Sequence, residues 1–250
     1  MMDLPGNPVY LLEEDLRNLR IINRYLGAYR EVLWCLGRLV KEHKMDSFSL
    51  LDVGTGSGDI PIAIAHWAKR EGISVKVVGL EPNPVTARVA RRHTHAFPQI
   101  SVVRGDGRYP PFPPSSFDFV LSSQLLHHFS EEEIVVLLKA WARLARRGIL
   151  VSDLIRHPLA YHGIRLLTRL FTRNLMTRTD APLSVHRAFT LAEWKRLLEL
   201  AEIGEFHLFS VFPFRLFAYC PLVTSLPQGS LPSRGPHGFE RTKVSWCMRT

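Results

Sequence analysis

Cysteine is scarce in this chain: Cys35, Cys220 and Cys247 are odd in number and far apart. Neither a disulfide framework nor a metal site is indicated, and a reducing cytoplasm is the expected setting. No run of about 18 uncharged apolar residues occurs, so no membrane-spanning helix is expected. The opening Met1-Met2-Asp3-Leu4-Pro5-Gly6 has neither a basic region nor an apolar one, and secretion is not signalled. Acidic residues are missing between Asp153 and Asp180, a stretch that holds Arg156, Arg165, Arg169, Arg173 and Arg178. Elsewhere the net charge of +9 is spread along the chain. Against these absences stand 250 residues, 46% of them hydrophobic, enough for one soluble globular domain with a small appendage.

What is present is organised around Leu50-Leu51-Asp52-Val53-Gly54-Thr55-Gly56-Ser57-Gly58-Asp59-Ile60-Pro61. An apolar run, three alternate glycines and a second apolar run read as a buried strand, a tight turn and a helix, with Pro61 in the first helical turn. Such a loop lets the backbone approach a ligand closely and offers free amides to an anion. A P-loop would need Gly-Lys-Ser/Thr, and no lysine follows Gly58. A dinucleotide fold prefers G-x-G-x-x-G, and Asp59 occupies the sixth position, where it would face a pyrophosphate.

Four further strands follow. Val75–Leu80 ends at Glu81-Pro82, Ile100–Arg104 at Gly105-Asp106-Gly107 and Phe117–Leu121 at Ser122-Ser123, and Gly148–Leu154 carries Asp153 at its end. In an open parallel sheet, ligands gather outside the carboxyl ends of the strands. Asp52, Glu81, Asp106, Ser122 and Asp153 therefore belong to one rim. An acid at the tip of the second strand accepts hydrogen bonds from both hydroxyls of a ribose, which Lys or Arg, being donors only, cannot do. Ser130 and Glu133 form a capping box before a helix with Ile134, Leu137, Leu138, Trp141 and Leu144 on one face.

Asp52 with G-x-G-x-G resembles motif I of the class I S-adenosylmethionine-dependent methyltransferases. Pro111-Phe112 followed by Ser116-Phe117-Asp118, and Leu125-Leu126-His127-His128-Phe129, are similar to the quinone-biosynthesis and polyketide small-molecule O- or C-methyltransferases. The resemblance covers about residues 50–219. It implies an α/β fold: a Rossmann-like, doubly wound, seven-stranded mixed sheet. It implies S-adenosyl-L-methionine as cofactor and S-adenosyl-L-homocysteine as product, held by Asp52, Gly54, Thr55, Gly56, Gly58, Glu81, Pro82, Asp106, Gly107, Ser122 and Ser123, with Asp106 at the adenine amino group. It nominates His127, His128 and Asp153 for catalysis, with His127 the nearer of the two histidines. No metal is implied. Where base-modifying members carry Asn/Asp-Pro-Pro-Tyr/Phe, this chain has Ser122-Ser123-Gln124-Leu125, which argues against a nucleic-acid base as acceptor.

An amphipathic helical cap is expected over residues 1–48, broken near Gly27 or Gly37, with Arg24 beside its apolar stripe as a candidate substrate contact. The main domain spans 49–220. Within it, about 157–184 reads as a helical insertion, which the resemblance implies is a lid over the substrate, with an apolar inner face and an arginine outer face. Tyr161 in that insertion is a further candidate substrate contact, and the resemblance implies His186 and Arg187 after it as others. Phe206–Val211 and Phe214–Tyr219 read as a closing hairpin, since Pro213 and Arg215 interrupt any membrane segment. The Pro-, Gly- and Ser-rich 221–250 reads as a disordered tail. The acceptor expected is a small, lipophilic aromatic, quinone-like or polyketide-like molecule, methylated on a hydroxyl or an activated carbon. Specific nucleic-acid binding is not expected, while the arginines leave contact with an anionic membrane open. The alternatives are an RNA or protein methyltransferase and a cofactor-binding partner subunit without turnover.

Overall fold

Strand β1 (Ser47–Val53) is the hub of a single sheet. Its Leu50, Leu51 and Val53 are almost wholly buried, as a parallel strand covered on both faces requires. In the computed structural model, which describes residues 9–25, 27–222 and 241–244, β1 pairs in parallel with β2 (Ser74–Glu81) and β4 (Phe117–Ser123). β3 (Ile100–Arg104) lies beyond β2, and β5 (Ala145–Leu154) beyond β4. Antiparallel β7 (Arg215–Pro221) and β6 (Phe206–Val211) follow. The order 3-2-1-4-5-7-6-8 reverses direction at β1 and β4, which opens a crevice beyond their carboxyl ends.

The seven expected strands are present, and β8 (Arg241–Val244) adds an eighth, antiparallel to β6. This corrects the expectation of a wholly disordered tail. Composition reports how little 221–250 can bury, but the open edge of β6 offers backbone groups to any extended segment. Residues 223–240 and 245–250 lie outside the described residues.

Alternating side chains of the sheet feed two cores. Leu51, Val53 and Val120 pack with Trp141 of α5 (Glu131–Leu144) and Trp194 of α8 (Leu191–Ala201). Leu50, Phe119 and Leu121 pack with Leu36 of α2 (Ala28–Glu42) and Ile64 of α3 (Asp59–Glu71) on the other face. The Ser130–Glu133 capping box forms as expected. α5 ends at Leu144 rather than at the expected Arg146–Gly148, because Ala145 already pairs with Phe117.

Above the rim stand α1 (Val9–Tyr25), a single 3-10 turn (Leu126–His128), α6 (Pro158–Phe171) and α7 (Leu175–Arg187). The break in the N-terminal helices falls at Gly27, at φ +87°, while Gly37 stays helical. α4 (Pro84–Thr94) follows β2, its end capped by the Asn83 side chain on the amides of Val85 and Thr86.

Candidate active site

Gly54 and Thr55 of the glycine loop donate their amides to Leu80 O at 2.9 and 3.1 Å, locking the loop onto the tip of β2. At Gly54 a side chain would collide with Leu125 at 2.9 Å, so that glycine serves close packing. Gly56, also at positive φ (+55°), differs in its surroundings: among the described residues nothing lies within 4 Å of where its Cβ would be. Its amide donates to Glu81 Oε2 at 3.1 Å, and Glu81 Oε1 accepts from the Asn83 amide at 3.0 Å. The second-strand acid is thereby fixed beside the loop.

Asp52 is 2% exposed and accepts a 2.7 Å hydrogen bond from the Thr55 hydroxyl. Burial pushes its carboxyl up to about 7, with Asp59 and Glu81 adding to the rise against the Thr55 hydrogen bond. Asp59 is held by Tyr29 of α2, whose hydroxyl donates at 2.7 Å, and by Ser57 at 3.0 Å.

The turn after β4 brings His127 onto Asp153 at the end of β5. His127 Nδ1 lies 2.7 Å from Asp153 Oδ1, and the His127 amide donates to Oδ2 at 3.3 Å. Burial works to raise the Asp153 carboxyl, yet His127, the Leu154 amide and Arg215 together hold it below the usual carboxylate range. A carboxylate only accepts, so Nδ1 carries the proton and Nε2 presents its lone pair when the ring is neutral. Among the described residues, Nε2 is buried without a partner, as are the hydroxyls of Ser122 and Ser123. His128 is exposed, its ring tilted 36° to that of His127 with the centroids 4.3 Å apart.

These elements enclose a cavity of ≈ 320 Å³. Asp52, Gly54, Thr55, Gly56 and Asp59 line it from the loop, and Ser123, Gln124, His127 and His128 from beyond β4. α1 supplies Asp15, Leu16, Leu19, Ile22 and Asn23; α6 and α7 supply Leu159, Ile164, Leu167, Asp180, Ala181 and Arg187. Gln124, at φ +53°, hydrogen-bonds through its side-chain amide to Asn23, tying the cap to the β4 tip.

Residues 50–148, from β1 into the start of β5, match the family described as a methyltransferase domain. The chain is similar to the demethylmenaquinone methyltransferases of Bacillus licheniformis and Lysinibacillus sphaericus, each 29% identical over 126 residues that cover 50% of this chain and 52% of the relative. The chain thus spans about half the length of the curated relatives it matches. Among solved structures, a plantazolicin methyltransferase is similar at a TM-score of 0.66 and 13% identity, covering 86% of this chain and 91% of its own. Human N-acetylserotonin methyltransferase gives 0.59 and 18%, covering 88% and 61%. Magnesium protoporphyrin IX methyltransferase from Synechocystis PCC 6803 gives 0.54 and 16%, covering 80% and 83%. At those identities the likeness speaks for the fold.

Of the residues expected to hold the cofactor and the acceptor or to act on them, Asp52, Gly54, Thr55, Gly56, Ser123, His127, His128 and Arg187 line the cavity. Asp153 stands directly behind His127, and Ser122 lies next to Ser123. Glu81 reaches the loop through Gly56, and Pro82 is exposed beside it. Gly58 instead packs against Thr94, which a Cβ there would meet at 2.8 Å. Asp106 is grasped by Arg108, whose guanidinium donates to both carboxylate oxygens at 2.7–3.1 Å, and Gly107 backs onto Val53. Tyr161 and His186 fall outside the cavity lining, Tyr161 packing among Ile164, Ala181 and Val185 and His186 facing solvent. The side chain of Arg24 lies outside the described residues.

The sequence reading missed Asp15, Asp59, Asp180 and Arg215 in the lining. A signal existed for two of them: Asp15 interrupts the apolar stripe of Leu12, Leu16 and Leu19, and Arg215 interrupts a phenylalanine-rich strand. A charge set in an apolar run needs a buried partner.

Proposed function

We propose that this chain transfers a methyl group from S-adenosyl-L-methionine to a hydroxyl or an activated carbon of a small lipophilic acceptor, releasing S-adenosyl-L-homocysteine. The observation that carries this reading is the buried 2.7 Å His127–Asp153 pair on the wall of a cavity that the glycine loop also lines. The residues present suit a cationic nucleoside. The open space at Gly56, the unpartnered Ser122 and Ser123 hydroxyls, and an Asp52 carboxyl driven up by burial and neighbouring acids all favour a ligand that brings donors and positive charge. Asp52, Gly54, Thr55 and Gly56 would hold it, with Glu81 at the ribose. Asp106 would serve the adenine while keeping its Arg108 pair. Bound there, the cofactor supplies an electrophilic methyl group.

His127 then acts on the acceptor. Its Nε2 takes the proton of an acceptor hydroxyl, converting a poor nucleophile into a good one, and Asp153 fixes the tautomer and steadies the resulting imidazolium. Positioning within the cavity contributes further, up to about 7–11 kcal/mol for well-aligned reactants. Leu16, Leu19, Ile22, Ile164 and Leu167 give the acceptor an apolar wall. That wall, with the similarity to demethylmenaquinone methyltransferases, supports an aromatic, quinone-like or polyketide-like acceptor. A cavity roofed by α1, α6 and α7 opposes an RNA or protein acceptor.

The test is transfer of labelled methyl into lipid extract, tRNA and protein in parallel. Label in a small lipophilic product, lost in His127→Ala, supports the reading. Label confined to RNA or protein overturns the acceptor class. Cofactor binding by calorimetry with no product in any fraction favours a partner subunit without turnover.

A further inference from the structure

α6 does not turn its apolar side wholly inward, contrary to the expectation of a lid with an apolar inner and an arginine outer face. Only Ile164 and Thr168 of this helix are buried. Leu166, Leu170 and Phe171 are 59%, 68% and 81% exposed, and Leu175 at the start of α7 is 74% exposed. Positions 159, 163, 166, 167, 170 and 171 follow the three- and four-residue steps that set side chains on one helix face. Three members of this exposed stripe, Leu159, Gly163 and Leu167, also line the cavity. The stripe therefore runs into the cavity mouth.

We propose that α6 and the turn into α7 dock on an anionic lipid bilayer, and that a lipophilic acceptor enters the cavity from it. Charge complementarity selects this occupant. Arg165, Arg169 and Arg173 flank the stripe, are exposed and, among the described residues, pair with no carboxylate; the chain carries no acid from 154 to 179. An apolar face edged by arginines is the make-up of a helix lying in the membrane interface, where the stems sit along the apolar boundary and the guanidinium groups meet lipid phosphates. No helix among the described residues is long and apolar enough to cross a membrane, so the association is peripheral. A protein seated on this face would also cover the cavity mouth, whereas a fluid bilayer leaves it open to apolar molecules. The delivery of the acceptor, though not the docking, rests on the function proposed above.

The test is flotation of the full chain with vesicles of phosphatidylcholine alone and of phosphatidylcholine with phosphatidylglycerol in equal parts. Expected is binding to the anionic vesicles only, weakened by salt, reduced about fivefold per arginine in R165Q/R169Q, and lost in L166S/F171S. None of these four side chains lines the cavity, so calorimetric binding of S-adenosyl-L-homocysteine stays unchanged in both variants. Absence of binding, equal binding to neutral vesicles, or full binding by the variants overturns the proposal. So does a dimer in sedimentation velocity that L166S/F171S dissolves. Vesicle binding without binding of the nucleoside leaves the docking standing and removes the proposed function; the reverse result does the opposite.

Discussion

Arg215 and Glu31 meet at 2.8 Å, although 184 positions separate them in the chain. Each is only 2% exposed. The Arg215 guanidinium also donates to Ser152 Oγ at 3.0 Å, and the Ser152 hydroxyl donates to Glu31. This triad joins α2, β5 and β7 at the cavity wall, where Arg215 is part of the lining and helps to hold the carboxyl of Asp153 low.

Removing one partner strands the other charge away from water. Glu31→Ala and Arg215→Ala are each expected to cost about 3–5 kcal/mol of stability, read from urea midpoints. The double variant E31L/R215M should recover most of that loss, since an apolar pair avoids the desolvation of two ions. A double variant as unstable as the sum of the singles contradicts this account.

His127→Gln and Asp153→Asn should each slow methyl transfer to a hydroxyl acceptor by about 10²–10⁴-fold, the range for a positioned general base. Affinity for S-adenosyl-L-homocysteine should stay within a few-fold of the parent in His127→Gln. His128→Ala, which loses an exposed ring, should have a much smaller effect on rate. Single-turnover kinetics with calorimetry separates chemistry from binding, and a full rate in His127→Gln rules out its role as base.

Gly56→Ala should separate fold from ligand. A left-handed alanine costs about 1–2 kcal/mol, with no steric clash to add to it. Its methyl would project into open space, so affinity for the nucleoside should fall by more than this strain implies. Gly37→Ala, in a helix with its Cβ at ordinary contact distance (3.6 Å) from Trp67, should instead stabilise by about 0.5–1 kcal/mol. Thermal unfolding and calorimetry on both variants check the contrast.

Asp15 predicts a pH dependence. Burial, with Asp180 adding, pushes its carboxyl up to about 6 against the Thr177 hydrogen bond. Between about pH 4 and 6 the folded state keeps a proton that the unfolded chain has released, so stability falls as pH rises through that window. Asp15→Asn should therefore gain about 2–3 kcal/mol over the parent at pH 8 and nothing at pH 4. Parallel urea midpoints for the two proteins across that range would refute it.

The strands β1 to β5 and their polar tips were legible because each signal is local. Apolar runs, the glycine loop, and the Ser130 and Asn83 ends act within a few residues of themselves. The Asp106–Arg108 clasp was local too, but which donor a carboxylate takes depends on the side-chain geometry of the loop, and sequence spacing does not report that. Tyr161 in the lid segment and His186 after it are expected substrate contacts, yet the seating of α6 and α7 places one in a small apolar cluster and the other in solvent.

By itself, then, the sequence determined the parallel sheet, the loop at its switch point and the acids along its rim, since backbone sterics and burial periodicity operate over short stretches. Only the tertiary structure decided that His127 meets Asp153 within hydrogen-bond distance, that Arg215 serves Glu31, that β8 closes the edge of β6, and that α6 leaves leucines facing outward. Each of these depends on where one element comes to rest against another far away in the chain, and no local pattern carries that relation.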